Sequence, residues 1–355
     1  MTNPSESENN TTQRFDQVKF LTEIGDFIGE RNIFFFRDEA LAVVKQRVRD
    51  LEQQTPVVII PDQTGIYQGF IHPESRVKVS GHTIGFKLDD LEIYSYLVTS
   101  LGRFLNRGAS PNSVIMMPHS LTLKEALPYI VFDAVRSYFQ SDWADALTET
   151  RRDILFDDQI KRYAADPGNT EKHLLSVRDL KDKDAGACVE HAAVTQNLLA
   201  VLGEEALMIN TLHCQLPKGK RVGHSYNILR RGKREYYLMD TATPAVYTDQ
   251  FDLKTTALLL YPLTKDQYEQ LMDGGDIEIT KHNAKDHPTG FSTHPTQLIY
   301  SGPDLKRNLR ADYERIKKHP EYNPQIEDEW QQLLRKKIGF NINEFKPDKT
   351  VILSV

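Results

Sequence analysis

Apolar residues recur at three- and four-residue intervals from Phe15 to Ile28 and from Asp38 to Leu51, a spacing that predicts two amphipathic helices. Val57 to Ile60 is a β-branched run stopped by Pro61, which predicts a short buried strand. The helical period returns from Asp89 to Leu105, and Asn106 to Pro111 has the composition of a linker. Phe34, Phe35 and Phe36 stand side by side and are expected in a core strand.

A second block opens at Ser120. Thr122 with Glu125 three residues on forms a capping-box pattern, and helical periodicity then runs to about Phe139. Asp166 to Thr170 is a break. Later come a helix at Leu263–Met272, a turn at Gly274 and Gly275, helices at Pro303–Lys318 and Ile326–Ile338, and a terminal strand at Thr350–Val355. No internal repeat is visible. The mixture predicts an α+β protein. Its organisation reads as a disordered polar tail at 1–14, an N-terminal α/β region of unknown role at 15–115, a central core at 116–250 and a C-terminal α+β extension at 251–355.

Composition narrows the function classes. The 355 residues are 39% hydrophobic and 26% charged, with 44 Lys and Arg against 50 Asp and Glu and a net charge of −6. That balance argues against a nucleic-acid-coating protein or a polybasic membrane binder. Two cysteines are too few for a disulfide scaffold or a cysteine-rich metal domain. No stretch approaches eighteen apolar residues, so no transmembrane helix is expected. Met1 to Gln13 lacks the basic start and apolar run of a Sec signal. The expectation is a cytoplasmic or otherwise soluble chain, with non-classical secretion left open by the polar leader.

The chemistry concentrates between Asp184 and Gly203. Asp184 is a candidate N-cap and Gly186 permits a close backbone approach. Cys188, Ala192, Leu199 and Leu202 follow one helical face, and Gly203 supplies a stop. Cys188 therefore falls in the first turn of a buried helix. There the free N–H groups and the positive dipole end stabilise a thiolate, the nucleophilic form of cysteine. Such a thiol needs a fixed base. His224 lies in the alternating segment Gly223–Leu229, and Asp240 ends the next, Glu235–Asp240. Each is eight residues from Gly232. A hairpin with an odd-length loop centred on Gly232 would set the two directly opposite on one sheet face. Asp240 could then accept one imidazole N–H and leave the other nitrogen for Cys188. An even-length loop would put them on opposite faces.

Three segments in this order resemble the transglutaminase-like cysteine enzymes: Gly186 and Cys188 opening a helix, Gly223 and His224 opening a strand, and Leu238 to Pro244 closing the next. The resemblance covers about residues 120–250. It implies a papain-like core in which a nucleophile helix packs on an antiparallel sheet carrying the histidine and the aspartate. It also implies acyl transfer through a thioester on an amide of a protein or peptide: peptidase, glutamine deamidase or, as an alternative, glutamine–amine crosslinking. Tyr226 stands where the family places an aromatic residue after the histidine. Arylamine N-acetyltransferases share the Cys-His-Asp order, but their Arg-Gly-Gly motif is absent.

Other assignments compete for the same residues. The backbone N–H of Cys188 is a natural oxyanion donor. The second donor has no clear match; Trp143, Gly186 and Tyr226 are candidates for oxyanion or substrate positioning, with Asn227 and Gln196 behind them. Cys188 and His191 with His213 and Cys214 could be drawn as a zinc site, but the spacing fits no familiar module. His191 reads better as a packing or rim residue and Cys214 as an inert buried thiol. Lys218, Lys220, Arg221, Arg230, Arg231, Lys233 and Arg234 flank the His224 strand, as solvated loops or as a basic rim that steers acidic protein surfaces. No cofactor and no metal are expected, since no calcium-loop pattern occurs. A binding module that keeps the fold without catalysis is the alternative from a different class.

Overall fold

The computed structural model describes residues 15–28, 37–60, 64–77, 85–105, 122–139, 146–165, 174–215, 221–232, 235–242, 245–247, 260–283 and 295–303. Phe34 to Phe36, the 106–111 linker, Trp143, the 166–170 break, Lys218, Lys220, Lys233, Arg234 and the expected elements beyond Pro303 lie outside them, as does the N-terminal tail.

The chain begins with α1 (Gln17–Ile28) and α2 (Arg37–Gln54), the two helices that the apolar spacing predicts. Four short strands follow: β1 (Ile59–Ile60), β2 (Thr64–Gln68), β3 (Arg76–Val77) and β4 (Phe86–Lys87). Then come α3 (Glu92–Leu105), α4 (Leu123–Phe139) and α5 (Ala146–Ala165). The capping box at the start of α4 is formed: Thr122 N–H donates to Glu125 Oε2 at 2.8 Å and Glu125 N–H to Thr122 Oγ1 at 3.3 Å. β5 (Leu175–Ser176) leads into α6 (Val177–Asp182) and α7 (Cys188–Val201). The remainder is largely β: β6 (Glu205–Gln215), β7 (Arg221–Arg231), β8 (Glu235–Met239), β9 (Ala245–Tyr247), β10 (Leu260–Leu263), α8 (Lys265–Met272), β11 (Asp276–Asn283) and β12 (Pro295–Ser301). The protein is α+β.

β1, β3, β4 and β5 make a small mixed sheet. The larger sheet runs β10-β8-β7-β6-β12-β11-β9, antiparallel at each pairing. β7 covers one edge of the long strand β6. The other edge is shared by β2, paired to residues 207–211, and by β12, paired to residues 214 and 215. Stretches that composition alone separates thus contribute strands to one sheet.

α7 lies between this sheet and a layer formed by α2, α3 and α4. Twelve of its fourteen residues are buried, so it has no solvent face. The single apolar stripe expected from Cys188, Ala192, Leu199 and Leu202 is therefore too narrow. Its buried polar residues are paid for by hydrogen bonds. Gln196 Nε2 donates to the carbonyls of Gly69 and Ala206, both at 3.0 Å. Asn197 accepts from Ile71 N–H at 2.6 Å and donates back to Ile71 O at 3.0 Å. These bonds let a polar sequence sit in a core helix.

Two local expectations are corrected around α7. Asp184 ends α6 rather than starting α7. It takes a left-handed φ of +49°, with Asp184 N–H bonded to Lys181 O and Ala185 N–H to Leu180 O. That is the paired closure of a helix C-terminus, and aspartate tolerates the conformation better than most residues. The N-cap of α7 is Ala187. Gly186, in turn, faces a ring rather than a backbone: a Cβ there would stand 2.5 Å from Cδ1 of Phe139. Gly186→Ala is expected to cost about 1–3 kcal/mol through this overlap, read as a lowered thermal midpoint. An unchanged midpoint would mean that Phe139 can swing aside. Gly203 does close α7, with φ +75° and Glu204 N–H bonded to Leu199 O at 2.9 Å.

Candidate active site

The β7–β8 hairpin decides where His224 and Asp240 meet. Its register pairs Arg231 with Glu235 and Asn227 with Met239. The loop is odd in length but centred on residue 233, not on Gly232, so the expected pairing is offset by two residues. Asp240, one residue past β8, falls level with Tyr226, and His224 is its diagonal neighbour. An offset of two preserves the face. The two side chains still meet: His224 Nε2 and Asp240 Oδ2 are 2.9 Å apart, with both residues buried.

Tyr300 was not visible from the sequence. From β12, sixty residues on, its hydroxyl donates to the same Asp240 Oδ2 at 2.7 Å. Its ring centroid lies 5.9 Å from that of His224 and 5.2 Å from that of Tyr226. Tyr226 stacks against His224 at 6.2 Å and its hydroxyl donates to Ser301 O at 2.9 Å. Tyr226 thus braces the imidazole, with its hydroxyl given to the backbone. A carboxylate holding two donors fixes the ring, because each removes a direction in which it could turn. Tyr300→Phe is expected to destabilise the fold by about 2 kcal/mol, the usual worth of a bond to a charged group. Urea denaturation would check this, and an unaltered midpoint would deny the bond any weight.

Strand alternation also sets which side of the sheet His224 occupies. Asn227 points at α7, donating to Ala192 O at 3.1 Å and to Gln196 Oε1 at 3.3 Å, and Leu229 packs in the same core. Tyr226 and Ile228 belong to a second cluster on the opposite face, with Ile209, Leu238 and Tyr300. His224 shares their parity. The sequence alone could not choose between the two faces, because both are buried.

Cys188 is the first residue of α7 and is half-buried. The N-cap alanine offers no side-chain oxygen to the N–H groups of the first turn. On the same helical stripe, His191 Nδ1 donates to Thr241 O at 3.2 Å, and the hydroxyls of Thr195 and Thr241 are 2.8 Å apart. The helix that carries Cys188 is thereby tied to the residue next to Asp240. A carbonyl only accepts, so Nδ1 of His191 holds the proton. Its ring is fully buried and stacked on Phe139 at 4.3 Å. Burial first, and the Arg136 guanidinium second, push its pKa down to about 3. His191 is a neutral packing residue; of the packing and rim positions that the sequence allows, full burial leaves the first. Arg136, on α4, is itself pushed down to about 10 by burial, with Asp240 acting against the shift.

The remaining candidates divide as follows. Gln196 Nε2 donates to two backbone carbonyls, and Asn227 Nδ2 to Ala192 O and Gln196 Oε1, which removes both as oxyanion donors. Gly186 serves Phe139. His213 and Cys214 lie in β6, with Cys214 paired to Val222 and Tyr300. Among the described residues, no group of three or more His, Cys, Asp and Glu side chains could hold a metal ion. Of the basic rim, Arg230 pairs with Glu205 at 3.0 Å and Arg231 with Glu204 at 3.1 Å, so part of its charge is matched locally. No helix of the described residues is long and apolar enough to cross a membrane. Compared with protein-family models, with curated proteins and with solved structures, the chain matches none.

Proposed function

We propose that the chain is a cysteine-dependent acyl-transfer enzyme with a transglutaminase-like core, acting on amides of protein or peptide substrates. The observation that carries the reading is the buried His224–Asp240 contact at 2.9 Å, in the same fold as a half-buried cysteine opening a central helix. Asp240 engages Nε2, so in this reading proton transfer with the thiol falls to Nδ1. In the reaction, Cys188 Sγ bonds to the carbonyl carbon while Nδ1 takes the thiol proton. The amine or ammonia then leaves with that proton, giving a thioester. Water attacks the thioester, its proton passes to Nδ1, and the departing sulfur recovers it. The N–H groups of the first turn of α7 receive the developing oxyanion. With water as acceptor the outcome is hydrolysis: peptidase or glutamine deamidase chemistry. A lysine amine in its place gives a crosslink.

This reading requires Nδ1 to reach Sγ past the start of β7, where pairing to β6 is irregular between Thr211 and Cys214. The position of His224 on the sheet face away from α7 favours a second reading, a binding module that keeps the fold without turnover. One experiment separates them. Site-resolved iodoacetamide alkylation of Cys188 near pH 6.5 is expected to slow about tenfold in His224→Ala, as loss of a charged partner lowers the thiolate fraction. Equal rates in the two proteins would leave the binding module.

A further inference from the structure

The start of α7 carries a buried ion pair that the acyl-transfer reading does not use. Arg152, on α5, places Nη1 2.6 Å from Glu190 Oε2 and donates to Ala185 O at 3.2 Å. The same Glu190 oxygen accepts the N-cap N–H of Ala187 at 2.8 Å. The Arg152 side chain is 9% exposed and that of Glu190 0%. Phe156 backs the guanidinium, its ring centroid 5.2 Å away. Both donors converge on Oε2, and among the described residues Glu190 Oε1 has no hydrogen-bond partner.

A buried pair of this kind is a poor source of stability, because desolvation offsets most of the attraction and apolar replacements often do as well. Its neighbourhood suggests another use. Glu190 stands two residues after Cys188 and its carboxylate folds back onto the N-cap. A carboxylate there suits the helix dipole but repels a thiolate forming at Cys188. A cation on the same oxygen cancels that repulsion and leaves the first-turn N–H groups to act on the sulfur.

We propose that Arg152 is a positioning residue for Cys188: its pair with Glu190 anchors the N-cap of α7 and neutralises the carboxylate that folds back onto the helix start from which the thiol projects. The purpose of this device rests on the acyl-transfer reading, but its test needs no substrate. The pH–rate profile of Cys188 alkylation by iodoacetamide is measured site by site in the full chain and in three variants. Glu190→Gln keeps an acceptor for Ala187 N–H and leaves Arg152 unbalanced, so the profile moves to lower pH by about one unit. Arg152→Met leaves the carboxylate unbalanced and moves the profile the opposite way by a similar amount. Arg152→Lys stays near the parent. Simple loosening of the helix end would move the first two variants in the same direction.

Displacements of one sign, or an unmoved profile in Glu190→Gln, overturn the proposal. Where Arg152→Met does not fold, the nearly isosteric Glu190→Gln decides alone. His224→Ala in the same assay keeps the two ideas apart. An unchanged profile there, beside opposed shifts in the other two, ends the triad and keeps the role of Arg152. The reverse pattern ends the role of Arg152 alone.

Discussion

Cys188→Ala is expected to abolish turnover, by a factor of roughly 10⁴ or more, while the fold survives. The thiol is half-buried at a helix start whose N-cap contributes no side-chain bond, so its loss removes little packing. The chemistry, by contrast, has no other nucleophile in the proposed set. Incubation with an activated ester or a glutamine peptide, followed by intact-mass analysis, should show an acyl adduct on the parent chain and none on the variant. His224→Ala should lose turnover comparably, and the double variant should be little worse than either single one, because the set acts as a unit. Cys214→Ser should retain activity. Turnover that survives Cys188→Ala would end the thioester mechanism altogether.

The second large effect concerns acid stability and falls on His191. Its pKa in the folded protein is pushed down to about 3 by burial, below the ordinary value of 6.5. The unfolded chain therefore binds a proton that the folded chain refuses, and folding loses stability as pH falls from about 6.5 toward 3. Above 6.5 both states are neutral at this position and the contribution is complete. At pH 5 the loss amounts to about 2 kcal/mol from this one group. His191→Gln keeps a donor for Thr241 O but no longer titrates. Urea denaturation at pH 7.5 and pH 5.0 should show the parent losing about 2 kcal/mol more than the variant. Equal losses would mean that His191 is protonated, or exposed, in the folded protein.

Much of the site could be read along the chain because it depends on short-range regularities. Period-3.6 spacing locates α1, α2, α3 and α4 within a few residues, and the Thr122–Glu125 box marks the start of α4. Alternation on either side of Gly232 locates β7 and β8. Parity then carries His224 and Asp240 to a common face even though the loop centre was off by one. What failed did so through the same locality. Asp184 has the residue type of an N-cap, but its left-handed backbone closes the preceding helix. A helix buried on all sides cannot be told from an amphipathic one when its polar residues find partners in Gly69, Ile71 and Ala206.

Sequence alone determined the α+β class and the placement of Cys188 at a helix start, and it reduced the meeting of His224 with Asp240 to the parity of one hairpin loop, which the structure decided. Each follows from periodicity or from residues on adjacent elements. Tertiary structure alone decided that Tyr300 is the second donor to Asp240, that Arg152 meets Glu190 across 38 residues, and which sheet face His224 takes. Contacts between distant segments depend on how layers stack and how one long strand shares its edges. The hydrophobic effect that drives this stacking is non-directional, so no local pattern encodes which residues it brings together.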